Sequence, residues 1–275
     1  MLNVTFYGVR GSFPCPSPAN ERYGGNTASV CIEREGAPPL LLDLGTGIQR
    51  LAADHPETPF RAAALVSHLH LDHVQGLPFF APLQRPESRL DVYAPKRTDG
   101  SLVDAFTELV REPYFPFTLE DLPARIHFHE VVDEDIELSG ATVRVRPVPH
   151  LGSTVGYRVE WDGAVVAYVS DHQAPDGLAD VAEEVLELCE GADLLIHEAQ
   201  YTPEEFEARP TWGHCTPDYA LLVARRAGVR RLCLFHHDPR RTDDELDRLQ
   251  VDLGRSADRS AIELLVAAEG QKVTL

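Results

Sequence analysis

Short apolar or alternating runs recur from the start of the chain, and most are closed by glycine, proline or a knot of polar residues. "LNVTFYG" at 2–8, "ASVCIERE" at 28–35, "PPLLLDLGTG" at 38–47, "FRAAALVS" at 60–67 and "RLDVYAP" at 89–95 have the length and apolar content of strands. Between them "IQRLAADH" at 48–55 is helix-like, and "VQGLPFFAPLQ" at 74–84 reads as a helix start. "SLVDAFTELVRE" at 101–112 places apolar residues at i, i+3 and i+4, which predicts a helix. The middle is strand-rich: "RIHFHEV" at 125–131, "TVRVRPVP" at 142–149, "TVGYRVEW" at 154–161 and "AVVAYVSD" at 164–171, with Trp161-Asp162-Gly163 as a hairpin turn. A helix at 179–190, a strand at 192–199, a helix at 216–228 and a strand at 230–237 follow. "DDELDRLQVDL" at 243–253 and "RSAIELLVAA" at 259–268 read as closing helices. Strands in runs, flanked by helices in both halves, predict two sheets with helices outside them.

The polar residues that interrupt this pattern gather where strands end. Residues 65–76 read "LVSHLHLDHVQG", so His68, His70, Asp72 and His73 fall within six positions straight after an apolar run. Imidazole and carboxylate are the donors that zinc-like divalent ions take. His68 and His70 can face one side while Asp72 and His73 face another, enough for two ions. Chemistry on loops carried by a rigid scaffold is the expected arrangement.

Composition sharpens this only in part. A length of 275 residues suits one large domain or two small ones, and we expect one, spanning 1–275. No apolar run reaches the length of a membrane span, and "MLNVTFYGVRG" lacks a signal-peptide pattern. Five scattered cysteines without a C-x-x-C pair fit reduced thiols in a cytoplasm. Charge says more. With 25 Lys+Arg against 44 Asp+Glu the net charge is −19, which repels long nucleic acids, whose binding rests on phosphate neutralisation. A small anion meeting metal ions remains compatible.

Further motifs extend the first. "SHLHLDHVQGLP" resembles the signature of the metallo-β-lactamase-fold hydrolases, and "LLLDLGTG" resembles the strand and turn before it, with Asp43 beneath the metal loop. "PVPHLGSTVGYRVE" places His150, "VVAYVSDHQ" places Asp171, and "LCLFHHDP" places His236 as that family places its later ligands. The resemblance implies an α/β fold, an αββα sandwich of two mixed β-sheets flanked by helices. It also implies two divalent metal ions, zinc or manganese. His68, His70 and His150 would hold one ion, Asp72, His73 and His236 the other, and Asp171 would bridge them.

Smaller features narrow the branch. "YGVRGSFPCP", "YGGNTASVCIE", "HEAQY" and "WGHCTPDYA" resemble the branch holding tRNA 3′-end nucleases and cyclic phosphodiesterases. It implies catalytic roles for Asp72, His214 and Glu198, with His214 the proton donor, Glu198 its support and His197 the rival donor. Arg10, Asn26, His172 and His237 are expected substrate contacts; His127 and His129 are expected to face solvent. Tyr114, Phe115 and Phe117 fit either a lid or core packing. The nucleases carry an RNA-grasping arm between the third ligand motif and the bridging Asp; here a hairpin fills that interval. The expected activity is therefore hydrolysis of a small phosphodiester, such as a cyclic phosphate or cyclic nucleotide. A tRNA-processing endoribonuclease, a thioester or lactone hydrolase and a non-catalytic binding module are the alternatives. Relatives often dimerise, so a homodimer is the expected assembly.

Overall fold

The protein is described by a computed structural model covering residues 1–56, 59–175, 178–258 and 260–275. Two seven-stranded sheets face each other. The first is built from β1 (Leu2–Gly8), β2 (Ser29–Arg34), β3 (Leu40–Leu42), β4 (Arg61–Leu65), β5 (Arg89–Pro95), β6 (Arg125–Val131) and the C-terminal β14 (Lys272–Thr274), in the order β14-β1-β2-β3-β4-β5-β6. The second runs β13-β12-β11-β10-β9-β8-β7. Its members are β7 (Glu134–Leu138), β8 (Ala141–Pro147), β9 (Val155–Trp161), β10 (Ala164–Val169), β11 (Leu194–Glu198), β12 (Arg231–Phe235) and β13 (Glu263–Val266). Each sheet is antiparallel at one end and parallel at the other: β3 to β6 run parallel in the first, β10 to β13 in the second. Both sheets are mixed, as expected from the resemblance.

Side-chain alternation sorts the core into three layers. Phe6, Tyr157, Trp161, Tyr168 and Phe235 pack between the sheets. Outside the first sheet, Leu90, Val92 and Ala94 meet Leu51 of α1 (Ile48–Asp54) and Phe106 of α3 (Leu102–Leu109). Outside the second, Leu195 and Leu232 meet α4 (Glu183–Cys189), α6 (Pro217–Arg226) and α7 (Asp243–Asp258). Each fully buried large apolar side chain contributes roughly 1.5–3 kcal/mol, so a single such position is not decisive; the three layers together hold the strand ends in place. Two short helices are α2 (Leu71–Val74), which carries Asp72 and His73, and α5 (Pro203–Ala208).

Three sequence expectations change. "RSAIELLVAA" is not a helix: its Glu263–Val266 forms β13, parallel to β12, and α7 runs on to Asp258 before it, while Arg259 lies outside the described residues. A short apolar run is equally compatible with either element, and here the open edge of β12 decides. "VQGLPFFAPLQ" becomes two 3-10 turns, Leu77–Phe79 and Ala81–Gln84, because Pro78 and Pro82 cannot donate the bonds of a continuing helix. The segments forming β7, β14 and α5 are further elements, each short and polar.

Candidate metal centre

The donor residues converge at the carboxyl ends of strands from both sheets. His68 and His70 follow β4, with Asp72 and His73 on α2; His150 follows β8, Asp171 follows β10, Glu198 ends β11 and His236 follows β12. The donor atoms of His68, His70, His150 and Asp171 all lie within 4.8 Å of one another, as do those of Asp72, His73 and His236. Asp171 turns one oxygen to each group. Its Oδ2 is 3.9 Å from His68 Nε2 and 3.8 Å from His150 Nε2, while Oδ1 is 3.3 Å from both His73 Nε2 and His236 Nε2.

Hydrogen bonds on the outer side of the rings fix which nitrogen faces inward. His73 Nδ1 donates to Asp43 Oδ2 at 2.7 Å, and His150 Nδ1 donates to the Gly213 carbonyl at 2.6 Å. His68 Nδ1 lies 3.0 Å from Ser67 Oγ. The opposite nitrogens therefore face into the site, the arrangement typical of metal-bound histidine. Gly213 has φ +90°, and a Cβ there would stand 2.4 Å from the His150 ring, so this approach requires glycine. Asp43, itself at φ +59° and fully buried, also accepts from Ser67 N (2.7 Å), Ser67 Oγ (2.9 Å) and Tyr168 OH (2.6 Å). Asp72 Oδ2 takes the Ser12 backbone N–H at 2.7 Å.

The donor set fits divalent ions. Two atoms bound tetrahedrally to one ion at about 2.0–2.2 Å stand about 3.3–3.6 Å apart. His73 Nε2 and His236 Nε2 are 3.2 Å apart, and His150 Nε2 and His70 Nδ1 are 3.4 Å apart. Bare imidazole nitrogens that close repel unless a cation lies between them. Asp171 Oδ1 is buried with no hydrogen-bond partner, a cost that a cation removes. Burial alone would lower the His73 pKa, but Asp72, Asp171 and Asp43 outweigh it and raise it well above the ordinary value. Burial alone would raise Asp171, yet His236, His73 and His68 hold it well below the usual carboxylate range. A site that draws protons this strongly draws other cations too.

His214 stands at the edge of the centre. Its Nδ1 is 3.3 Å from Glu198 Oε1 and 3.6 Å from Asp171 Oδ2. Burial alone would lower its pKa, but Glu198, Asp171 and Asp72 outweigh burial and raise it to about 9. Asp171, His214 and His236 also converge closely enough to share an ion. His197 is buried behind Glu198, bonded to the Glu198 carbonyl at 2.7 Å and to His172 at 3.1 Å.

Four expected substrate contacts are turned to other tasks. Arg10 is fully buried, donating to the carbonyls of Gly24, Asp238 and Arg241; it ties the 10–26 loop to the segment after β12 and offers a substrate no surface. Asn26 binds Glu269 through backbone and side chain. His172 and His237 are buried, the first against His197 and the second on the Ala267 carbonyl. His127 and His129 both meet Asp91 Oδ1 at 3.2 Å on the surface, away from the centre. Phe115 packs against Phe79 and Phe117, while Tyr114 is exposed. The Tyr168 hydroxyl and the Gly213 carbonyl were not foreseen. A core tyrosine and a backbone carbonyl leave no mark in a sequence read alone. A groove of about 430 Å³ opens from His68 and His70 between Pro95, Arg97, Leu151 and Ser153.

A four-layer sandwich with paired histidine–carboxylate groups at its strand ends defines a metallo-β-lactamase-fold hydrolase with a candidate metal centre. A family model described as a beta-lactamase superfamily domain matches residues 40–237, and the chain belongs to that superfamily. It is similar to the ribonuclease Z of Mycobacterium bovis (strain BCG / Pasteur 1173P2), 30% identical over 259 residues that cover 87% of each chain. Its fold is similar to the metallo-beta-lactamase fold protein YhfI from Bacillus subtilis, with TM-score 0.74 and 20% identity over 99% of this chain and 98% of that one. A diphosphatase from the PhnP family is similar too, at TM-score 0.72 and 21% identity over 100% and 98% of the chains. Among the described residues no helix is long and apolar enough to cross a membrane.

Proposed function

We propose that this protein is a phosphodiesterase with a two-ion centre, zinc or manganese, acting on a small diester such as a cyclic nucleotide or cyclic phosphate. The observation that carries this is the His214–Glu198 pair, set 3.6 Å from the carboxylate that both donor groups share. His68, His70 and His150 would hold one ion and Asp72, His73 and His236 the other, with Asp171 serving both. Divalent ions in such a site supply a Lewis acid for a phosphoryl oxygen and lower the pKa of bound water. The chain's own residues supply the rest. Glu198 takes the Nδ1–H of His214, which leaves Nε2 as the nitrogen that gives its proton to the departing alkoxide. Asp72, held by the Ser12 N–H, keeps its donor oxygen aimed at His73 and His236. A thiolate leaves without such a proton, so the pair has no task in a thioesterase.

Small substrates are favoured over RNA for two reasons. The interval from His150 to Asp171 is occupied by the β9–β10 hairpin, and the chain carries a net charge of −19. The similarity to a ribonuclease Z keeps tRNA processing as the second reading. The five cysteines are free, in keeping with a cytoplasmic enzyme working as one domain. The test is elemental analysis of the purified protein beside a panel of bis-p-nitrophenyl phosphate, cyclic nucleotides, a thioester and a precursor tRNA. The expected result is close to two ions per chain and phosphodiester turnover above thioester turnover. Trace metal only, or a thioester hydrolysed tenfold faster, overturns the reading.

A further inference from the structure

Among the histidines of the centre, His236 has an outer nitrogen left over. Its Nε2 faces Asp72 Oδ2 at 3.1 Å, His73 Nε2 at 3.2 Å and Asp171 Oδ1 at 3.3 Å, so Nε2 is the nitrogen that must be bare to bind an ion. The proton then sits on Nδ1, which is buried and has no hydrogen-bond partner. His73, His150 and His68 all have that nitrogen engaged.

A matching acceptor is close by. Gln200 Oε1 is also buried and without a partner. A Cβ on Gly11 would stand 2.4 Å from His236 Nδ1 and 2.6 Å from Gln200 Oε1, so the two orphaned atoms converge on one point, over a residue with no side chain. The amide of Gln200 has its other end anchored: Nε2 donates to Ser12 Oγ at 3.4 Å, and Ser12 N donates to Asp72 Oδ2 at 2.7 Å. A donor and an acceptor, each costly to leave unpaired in a buried setting, thus border the same side-chain-free space beside a candidate ligand.

We infer that Gln200 is a positioning residue for the second ion: its Oε1 accepts the Nδ1–H of His236, fixing the tautomer that presents Nε2. The same amide, through Ser12, links His236 to Asp72, so two donors of one group are aligned by one side chain. This rests on the reading that Asp72, His73 and His236 hold a divalent ion. Gly11 is required because any side chain there would part the two groups.

The test is zinc titration of the metal-free protein against a chromophoric chelator, on wild type, Gln200→Leu and Gln200→Glu, with the histidine tautomers followed by long-range nitrogen–proton NMR. Removing an outer partner of a metal-bound histidine typically weakens binding about 10–100-fold. Gln200→Leu should weaken the second zinc by that factor and leave the first within a few-fold. Gln200→Glu, which keeps an acceptor, should restore most of it. In wild type the His236 proton should reside on Nδ1 with a hydrogen-bonded shift, lost in Gln200→Leu. Equal zinc affinities in wild type and Gln200→Leu, or equal losses in both variants, overturn the assignment of Gln200. So does a wild-type His236 protonated on Nε2 with zinc bound. A wild-type protein that takes up no zinc overturns the metal reading itself, and the inference with it.

Discussion

His70 stands exposed at the rim of the first donor group, whereas His73 and His236 in the second are almost without free surface. The outer contacts differ in the same sense. The second group is backed by Asp43, itself held by Ser67 and Tyr168, and by the Ser12 N–H on Asp72. In the first, His150 leans on a single loop carbonyl and buried His68 on Ser67 Oγ, and His68 and His70 border the groove. One group lies buried in the core, and the other opens through His70 toward the space a substrate can enter. The same residue types can thus serve as an anchor or as a working face, depending on what stands behind them.

Removing the shared carboxylate should erase the contrast. Asp171→Ala takes a donor from both groups and should cost more than the roughly 10–100-fold that loss of an outer partner costs, with both ions depleted on elemental analysis. Loss of only one would mean that Asp171 does not bridge. Next in size is His214→Ala, expected to lower turnover of an alkyl or cyclic diester by about 10²–10⁴-fold. The loss on bis-p-nitrophenyl phosphate should be much smaller, because that leaving group needs little protonation. Equal losses would assign His214 to substrate positioning; lost metal would make it a ligand of the group it shares with Asp171 and His236.

Asp43→Asn sharpens the contrast directly. It should weaken the second ion about 10–100-fold and the first by less in a two-site zinc titration, because Asp43 meets His73 directly but His68 only through Ser67; equal weakening would show that the groups share one support. The smallest effect concerns the surface cluster of Asp91, His127 and His129, where Arg89 already grips both carboxylate oxygens. Burial alone would raise the Asp91 pKa, but Arg89, His129 and His127 hold it down to about 2, below its ordinary 3.8. A depressed carboxylate stabilises the fold above its ordinary pKa, and that contribution fades as pH falls through about 2. Asp91→Asn should therefore cost about 0.2–1 kcal/mol near neutral pH, with the gap to wild type closing below about pH 4. His127→Ala should leave the number of bound ions unchanged.

The legible part of the molecule was the part written in dense local patterns. His68, His70, Asp72 and His73 announce themselves by proximity in sequence, whereas His150, Asp171 and His236 become legible only through the family resemblance of the motifs around them. An arginine early in a Gly-rich loop has, in sequence, the character of a substrate contact, yet Arg10 is fully buried. Only the fold brings the carbonyls of Gly24, Asp238 and Arg241 around it. His172 and His237 adjoin Asp171 and His236 in sequence, but each is held by a buried partner instead, His172 by His197 and His237 by the Ala267 carbonyl. Nothing local distinguishes Glu263–Val266 from a helical turn until β12 supplies a partner, so the sequence alone suggests helix where β13 forms.

The hydroxyl of Tyr168 reaches Asp43 from the opposite sheet, and that of Tyr157 likewise reaches the Val66 carbonyl at 2.7 Å. The spacing between the two halves of the sandwich is thereby coupled mechanically to the aim of His73. Gentle warming that loosens the seam would detune the catalyst while every strand is still paired, so heat inactivation should set in below the temperature at which the chain melts.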